Sequence, residues 1–298
     1  MRSPSLDRVL VGDCLEVLRY LPDESVALIL TSPPYAQQRA KTYGGIAPDD
    51  YVAWFLPRAA EFWRVLKPTG SFVLNIKEGV VAGERSTYVI ELILALRQQG
   101  WLWTEEYVWH KKNAHPGKWP NRFRDAWERV LHFTKQRQFA MFQDDVRQPV
   151  GDWAKTRLAN LSETDKRRDP SRVGSGFGKR IANWVGRETV YPSNVLYLAP
   201  EAGNRNHSAA YPVDLPDFFI RLFSQPGDVV LDPFLGSGTT AVAAERLSRR
   251  WIGVELLPDY VAVAEARIEV ERARNTQRVG APTQLDDRRL TRPQERAA

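Results

Sequence analysis

Three short runs hold residue types from which a binding and transfer site can be built. The first is Thr31-Ser32-Pro33-Pro34-Tyr35, directly after the apolar run Val26 to Leu30. Consecutive prolines remove two backbone donors and hold the chain extended, so the carbonyls beside them stay open as acceptors. A serine hydroxyl, a bare carbonyl and a tyrosine ring suit a flat base bearing an exocyclic amino group. A proline-rich surface turn explains PPY alone but explains less well a pentapeptide at a strand end. The second run, Asp232-Pro233-Phe234-Leu235-Gly236-Ser237-Gly238-Thr239-Thr240, follows Val-Val-Leu and opens a helical pattern. Its glycines permit a tight turn and a close ligand, and the helix start offers unpaired N–H groups to a phosphate or carboxylate. The lysine of a P-loop is missing, whereas the dinucleotide pattern G-x-G-x-x-G is met with Ala241 in the third glycine position. The third is Glu255, at the end of Trp251-Ile252-Gly253-Val254-Glu255 and 23 residues after Asp232. That is the spacing of an acid that accepts from ribose hydroxyls in nucleotide-binding sheets. Alone it reads as a solvated strand-end carboxylate; beside the glycine loop it points to a cofactor containing adenosine.

These runs need strands and helices to hold them. Short β-branched or aliphatic segments alternate with amphipathic ones, the signature of an α/β sheet with parallel strands. Strands are expected at Val9 to Val11, Val26 to Leu30, Ser71 to Ile76, Trp101 to Trp109, Arg129 to Phe133, Asp228 to Leu231 and Trp251 to Glu255. Helices are expected at Cys14 to Leu21, after a cap at Asp49-Asp50, at Ser86 to Gln99, Asp214 to Phe223, Thr239 to Leu247 and Asp259 to Ala273. Pro57 lies inside the second of these and should kink it or reset its start. From about Gln136 to Tyr191 the periodicity fades into Gly, Asn, Asp, Arg and Lys, and no internal repeat is visible. The division expected is 1–135 for a catalytic half, 136–193 for a polar insert, 194–273 for a cofactor-binding half and 274–298 for a disordered basic tail.

Composition narrows the partners. The chain has 298 residues, 43% hydrophobic and 26% charged, which suits a globular core. No apolar run is long enough to span a membrane and the N-terminal residues lack a signal peptide's apolar region, so a cytoplasmic protein without membrane attachment is expected. One cysteine and four histidines are a poor stock for a metal site, and none is expected. Lys and Arg total 42 against 36 acids, and the surplus is concentrated: residues 110–125 hold five basic side chains and one acid, residues 136–193 eleven against seven, residues 271–298 seven against four. Basic patches attract polyanions by counterion release, which makes nucleic acid the partner to test, although many soluble proteins share such a balance without one.

TSPPY together with DPFLGSGTT resembles the exocyclic-amino DNA methyltransferases that use S-adenosylmethionine. The order of catalytic motif, insert and then cofactor loop is similar to the circularly permuted β-class of that family, over about residues 6–135 and 194–270. The resemblance implies an α/β, Rossmann-like methyltransferase fold with a mostly parallel seven-stranded sheet and a loop-rich target-recognition insert. It implies that Asp232, Phe234, Gly236, Ser237, Gly238 and Thr239 hold the methionine part of the cofactor, that Glu255 binds ribose, and that Asp13 contacts the adenine amino group. Thr31 and Cys14 fall beside that site, Cys14 with a packing role and a backbone contact to adenine. The segment His207-Ser208-Ala209-Ala210-Tyr211-Pro212 is similar to the one covering the methionine end, and His207 is equally readable as a structural histidine.

Within the family, Asp-Pro-Pro-Tyr usually marks adenine N6 enzymes and Ser-Pro-Pro-Tyr cytosine N4 enzymes. Ser32 therefore implies cytosine, with Ser32, Pro33, Pro34 and Tyr35 as the catalytic set. The Ser32 hydroxyl and Pro33 carbonyl would accept from the amino hydrogens, Tyr35 would stack on an extruded base, and transfer would be direct. Cytosine C5 chemistry needs a nucleophilic cysteine, normally after proline, and Cys14 follows Asp13. Double-stranded DNA is the expected substrate and a cognate restriction endonuclease and a homodimer are the expected partnerships. Base and phosphate contacts are assigned to Lys111, Lys118, Trp119 and Arg122 near the base pocket and to Arg168, Arg172, Lys179 and Arg180 in the insert, with Arg167, Asn183 and Arg187 as further candidates. The alternatives are an adenine N6 enzyme on the same fold, an RNA or protein methyltransferase, and a non-catalytic nucleic-acid-binding protein, for which a broken motif would be expected.

Overall fold

The computed structural model of the protein describes residues 6–37, 45–114, 120–152, 156, 159–160, 186–201 and 211–280. The chain enters through β1 (Arg8–Val11) and α1 (Cys14–Leu18), then runs down the middle of the molecule as β2 (Val26–Thr31). Every residue of β2 is buried, which an uninterrupted Val-Ala-Leu-Ile-Leu-Thr run requires of a strand covered on both faces. Helix α2 (Pro48–Val65) crosses to β3 (Leu66–Ile76), a two-stranded β4 (Val80–Val81) and β5 (Glu84–Arg85) follows, and α3 (Tyr88–Gln98) crosses to β6 (Leu102–Lys111) and β7 (Trp127–Thr134). Beyond a second small pair, β8 (Gln148–Pro149) with β9 (Thr189–Val190), the chain adds β10 (Val195–Leu198), α4 (Asp214–Phe223), β11 (Val229–Asp232), α5 (Thr239–Arg246), β12 (Arg250–Glu255) and α6 (Pro258–Gly280).

The main sheet has the order β1-β12-β11-β2-β3-β7-β6-β10. It is parallel except for β7, which runs against both neighbours. The expected mostly parallel α/β fold is present, with eight strands where seven were expected. The extra one is β10, an edge strand paired with β6 in a stretch too short to read by periodicity. Side chains alternate across the sheet: Ile29, Phe72, Leu74 and Leu231 meet α1, α2 and α3, while Leu28, Leu30, Val73 and Val230 meet α4, α5 and α6.

Several boundaries moved for physical reasons. Helix α2 starts at Pro48, so Asp49 and Asp50 lie in its first turn instead of capping it. Pro57 neither breaks nor restarts the helix, because it and Ala53, whose carbonyl it deprives of a donor, both face solvent. The side chain of Arg58 adds a hydrogen bond to the adjacent Trp54 carbonyl at 2.8 Å. Residues 136–150 pack on the sheet body instead of joining a polar insert: Phe142 N–H donates to the Leu222 carbonyl at 2.7 Å, and Val146 is buried against the same cluster. The disordered tail expected from residue 274 begins later, since α6 continues to Gly280 and Asn275 donates to the Glu245 carbonyl at 2.9 Å.

His132 on β7 gives the fold a pH dependence. It is 1% exposed, shares a 2.9 Å hydrogen bond with Ser71, and burial pushes its pKa down to about 3. The unfolded state therefore binds a proton that the folded state refuses, so this contribution is present above the ordinary histidine pKa and lost as pH falls towards the folded value. Between pH 7 and pH 5 the loss should be about 2 kcal/mol. Urea unfolding at both pH values should show a difference smaller by about that amount in His132→Gln.

Candidate active site

In an open α/β sheet, ligands bind beyond the carboxyl ends of the strands, where the connections turn to opposite sides. That point lies between β11 and β2, and a buried brace ties the two strand ends together. Thr31 Oγ1 donates to Asp232 Oδ1 at 2.6 Å, Thr240 Oγ1 to Asp232 Oδ2 at 2.5 Å, the Tyr211 hydroxyl to Oδ2 at 3.2 Å and Phe234 N–H to Oδ1 at 3.1 Å. Burial pushes the Asp232 carboxyl up and these donors pull it back. Thr31 and Asp232 thus support the wall of the site and do not face into it.

Above the brace lies a cavity of about 270 Å³. Phe234, Gly236, Ser237, Thr239 and Glu255 line it, with Asp13 and Cys14 from the end of β1 and Ser32 through Tyr35 from the end of β2. Gly238, expected at the cofactor, lies behind the lining: it has φ +85° and its missing Cβ would meet Ala264 Cβ on α6 at 2.9 Å. The loop can take its course only because α6 packs against a glycine. Arg267, also on α6, donates to the Ser237 carbonyl at 2.8 Å and to its hydroxyl at 2.7 Å. No local sequence signal linked Arg267 to a loop 30 residues away.

Glu255 accepts Gly236 N–H on Oε2 at 2.8 Å and Leu257 N–H on Oε1 at 2.9 Å. Each oxygen keeps a lone pair for a ligand. Burial raises its pKa, and the backbone donors oppose the rise. Asp13 caps α1 through Leu15 N–H at 2.8 Å and pairs with Arg58 at 2.7 Å. The Arg58 guanidinium lies 4.2 Å from the Trp54 ring centre, and that ring packs 5.7 Å from Phe234. Trp54 and Arg58 line the cavity and went unnoticed in the sequence, where they read as one helix face. Burial pushes the Cys14 thiol up to about 12, which keeps it protonated and unsuited to nucleophilic work.

The catalytic motif forms one corner of the cavity. The Tyr51 hydroxyl donates to the Pro34 carbonyl at 2.9 Å, while the Pro33 carbonyl accepts nothing among the described residues. Ser32 Oγ donates to Tyr35 Oη at 3.2 Å, and Tyr35 Oη donates to Glu128 Oε2 at 2.7 Å. Asn75 Nδ2 donates to Tyr35 Oη at 3.0 Å and to Glu128 Oε2 at 2.8 Å. Glu128 lies at the start of reversed strand β7, which brings it to the same edge as the ends of β2 and β3. Asn75 announced itself only as a polar residue in an apolar strand, and Glu128 fell outside the strand expected from Arg129.

Of the residues expected to meet DNA, Lys111 turns inward, pairing with Glu128 and lying 4.8 Å from the Trp109 ring centre. Arg122 lies 3.5 Å from Asp125, which also binds Lys77 and Arg85 and so anchors this loop to the end of β3. Arg187 is exposed. Lys118, Trp119, Arg167, Arg168, Arg172, Lys179, Arg180, Asn183 and His207 lie outside the described residues.

A sheet with only β7 reversed and a cavity over the β11–β2 switch point is the fold of the S-adenosylmethionine-dependent methyltransferases. Residues 26–266 match the N6/N4 methyltransferase family, described as DNA methylase. The Type II methyltransferase M.PvuII of Proteus hauseri is 33% identical over 280 residues, covering 86% of this chain and 82% of that protein. The solved PvuII DNA methyltransferase (cytosine-N4-specific) aligns with TM-score 0.65 at 29% identity, over 91% of this chain and 93% of that one. A DNA modification methylase of Thermus thermophilus, TTHA0409, complexed with S-adenosyl-L-methionine, aligns with TM-score 0.58 at 28% identity, over 89% of this chain and 93% of that one. The chain belongs to the N6/N4 DNA methylase family, and its methyl donor is S-adenosylmethionine. The cavity fits that donor in kind: aromatic faces for a purine, a carboxylate with spare acceptors for a ribose, and a glycine turn behind it.

Proposed function

We propose that the protein is a Type II DNA methyltransferase that methylates the N4 amino group of a cytosine flipped out of duplex DNA. The observation that carries this reading is the corner at Ser32, where a serine hydroxyl and an unclaimed Pro33 carbonyl lie together at the wall of the donor cavity. Glu255 would hold the donor's ribose, Asp13 its adenine amino group, and Phe234 through Thr239 its methionine end. When bound, S-adenosylmethionine supplies a methyl group already activated by a positive sulfur.

The protein's part is orientation. A cytosine amino nitrogen is a poor nucleophile because its lone pair is delocalised into the ring. Accepting its two hydrogens at Ser32 and Pro33 draws the nitrogen towards a tetrahedral shape with the lone pair turned to the methyl group. Holding the two in line supplies a large share of the rate. Tyr35, half-buried at the cavity wall, offers the face on which the extruded base stacks. The segment bounded by the β8–β9 pair would read the target sequence, and its arginines and lysines suit guanine edges and phosphates. The enzyme would act in the cytoplasm, as a homodimer, beside an endonuclease that reads the same sequence.

The test is transfer of labelled methyl groups to duplex DNA, to tRNA and to a protein mixture in parallel. Label on duplex DNA that saturates at a small, fixed fraction of bases is the expected result. Label on RNA or protein at a higher rate would overturn the substrate assignment.

A further inference from the structure

Methylation of an amino group leaves a proton to be removed, and the base that fills the corner would shut out the water that could take it. A connected hydrogen-bond chain leads away from that point. Ser32 Oγ donates to Tyr35 Oη at 3.2 Å and Tyr35 Oη donates to Glu128 Oε2 at 2.7 Å. Glu128 is 8% exposed, and Asn75 and Lys111 hold its two oxygens from β3 and β6. The sheet does not need this carboxylate, since β7 is paired on both sides through its backbone.

We propose that Glu128 receives, through Tyr35 and Ser32, the proton shed by the acceptor amino group. The inference rests on the reading that Ser32 faces that amino group. As the new N–C bond forms, the donor's S–C bond breaks and its electron pair stays on sulfur. The nitrogen then carries a positive charge and one hydrogen too many. That proton passes to Ser32 Oγ as the Ser32 proton passes to Tyr35 Oη and the Tyr35 proton to Glu128. Both hydroxyls finish neutral, and Glu128 finishes as a carboxylic acid. Tyr35 never ionises, which suits a phenol whose pKa is pushed well above its usual value by burial and by the Glu128 charge.

The groups facing Glu128 are Tyr35 after β2, Asn75 and Lys77 at the end of β3, Tyr88 on α3 and Lys111 on β6. Two ammonium groups favour the carboxylate form and so reset it after each turnover. Glu128 touches no substrate atom; it is a positioning residue for Tyr35 as well as the end of the relay. Those two roles separate in Glu128→Gln, which can still accept from Tyr35 but cannot take the proton.

Single-turnover methylation of duplex DNA by the full chain tests this, with donor affinity measured by calorimetry. Glu128→Gln should lower the rate by about a hundred-fold with donor affinity nearly unchanged. Its rate should climb as pH is raised above neutrality, where hydroxide replaces the lost acceptor, while the wild-type rate stays level. Should that variant fold poorly, Tyr35→Phe interrupts the same chain and should show the same loss and the same climb. A Glu128→Gln enzyme as fast as wild type, or slow with a level pH profile, overturns the relay while leaving the function intact. A wild-type enzyme that labels no DNA overturns the function and the relay with it.

Discussion

Ser32→Ala should lower single-turnover methylation by about a thousand-fold, within the usual range for losing a proton-handling group at the reacting atom. The affinity for S-adenosylmethionine should change by less than about twofold, because the donor's recognition is concentrated at the other end of the cavity. The variant loses an acceptor for one amino hydrogen and the first link to Tyr35, which Ser32 Oγ meets at 3.2 Å. Rapid-quench kinetics with excess enzyme, paired with isothermal titration, separates these effects. A loss confined to donor affinity would place Ser32 in binding and remove it from the chemistry.

Glu255→Ala should do the reverse. Its carboxylate can give a ribose two charge-assisted hydrogen bonds, each worth about 1.5–3 kcal/mol. It also holds Gly236 N–H at 2.8 Å and Leu257 N–H at 2.9 Å, and both donors lose that acceptor in the variant. Donor affinity should fall by about a hundred- to a thousand-fold, with the rate at saturating donor recovered to within a few-fold. Titration and saturation kinetics check both halves. An unchanged donor affinity would mean that Glu255 only closes the loop.

The parts of the site that lie in one stretch of chain were legible before the fold was seen. The loop from Asp232 to Thr240, Glu255 at a strand end and Ser32 through Tyr35 all meet at one cavity or its wall, because a parallel sheet brings successive strand ends to one edge. Their depth in the wall was not legible. Asp232 and Thr31 look like ligand contacts in sequence, yet their hydrogen bonds face each other. Pairings across long separations left no local trace: Asp13 with Arg58, Arg267 with Ser237, Tyr35 with Glu128. Strand β10 was missed because four residues carry too little periodicity to register. Pro57 misled because the rule against proline inside a helix weakens where the freed carbonyl meets water.

The most direct test of the central assignment is the chemical identity of the methylated nucleoside. Bacterial DNA is incubated with the protein and methyl-labelled S-adenosylmethionine, digested to nucleosides and resolved by mass spectrometry. Labelled N4-methylcytosine is the predicted product. Labelled N6-methyladenine, with cytosine unlabelled, would contradict the account by showing that a serine before Pro33-Pro34-Tyr35 does not select the base.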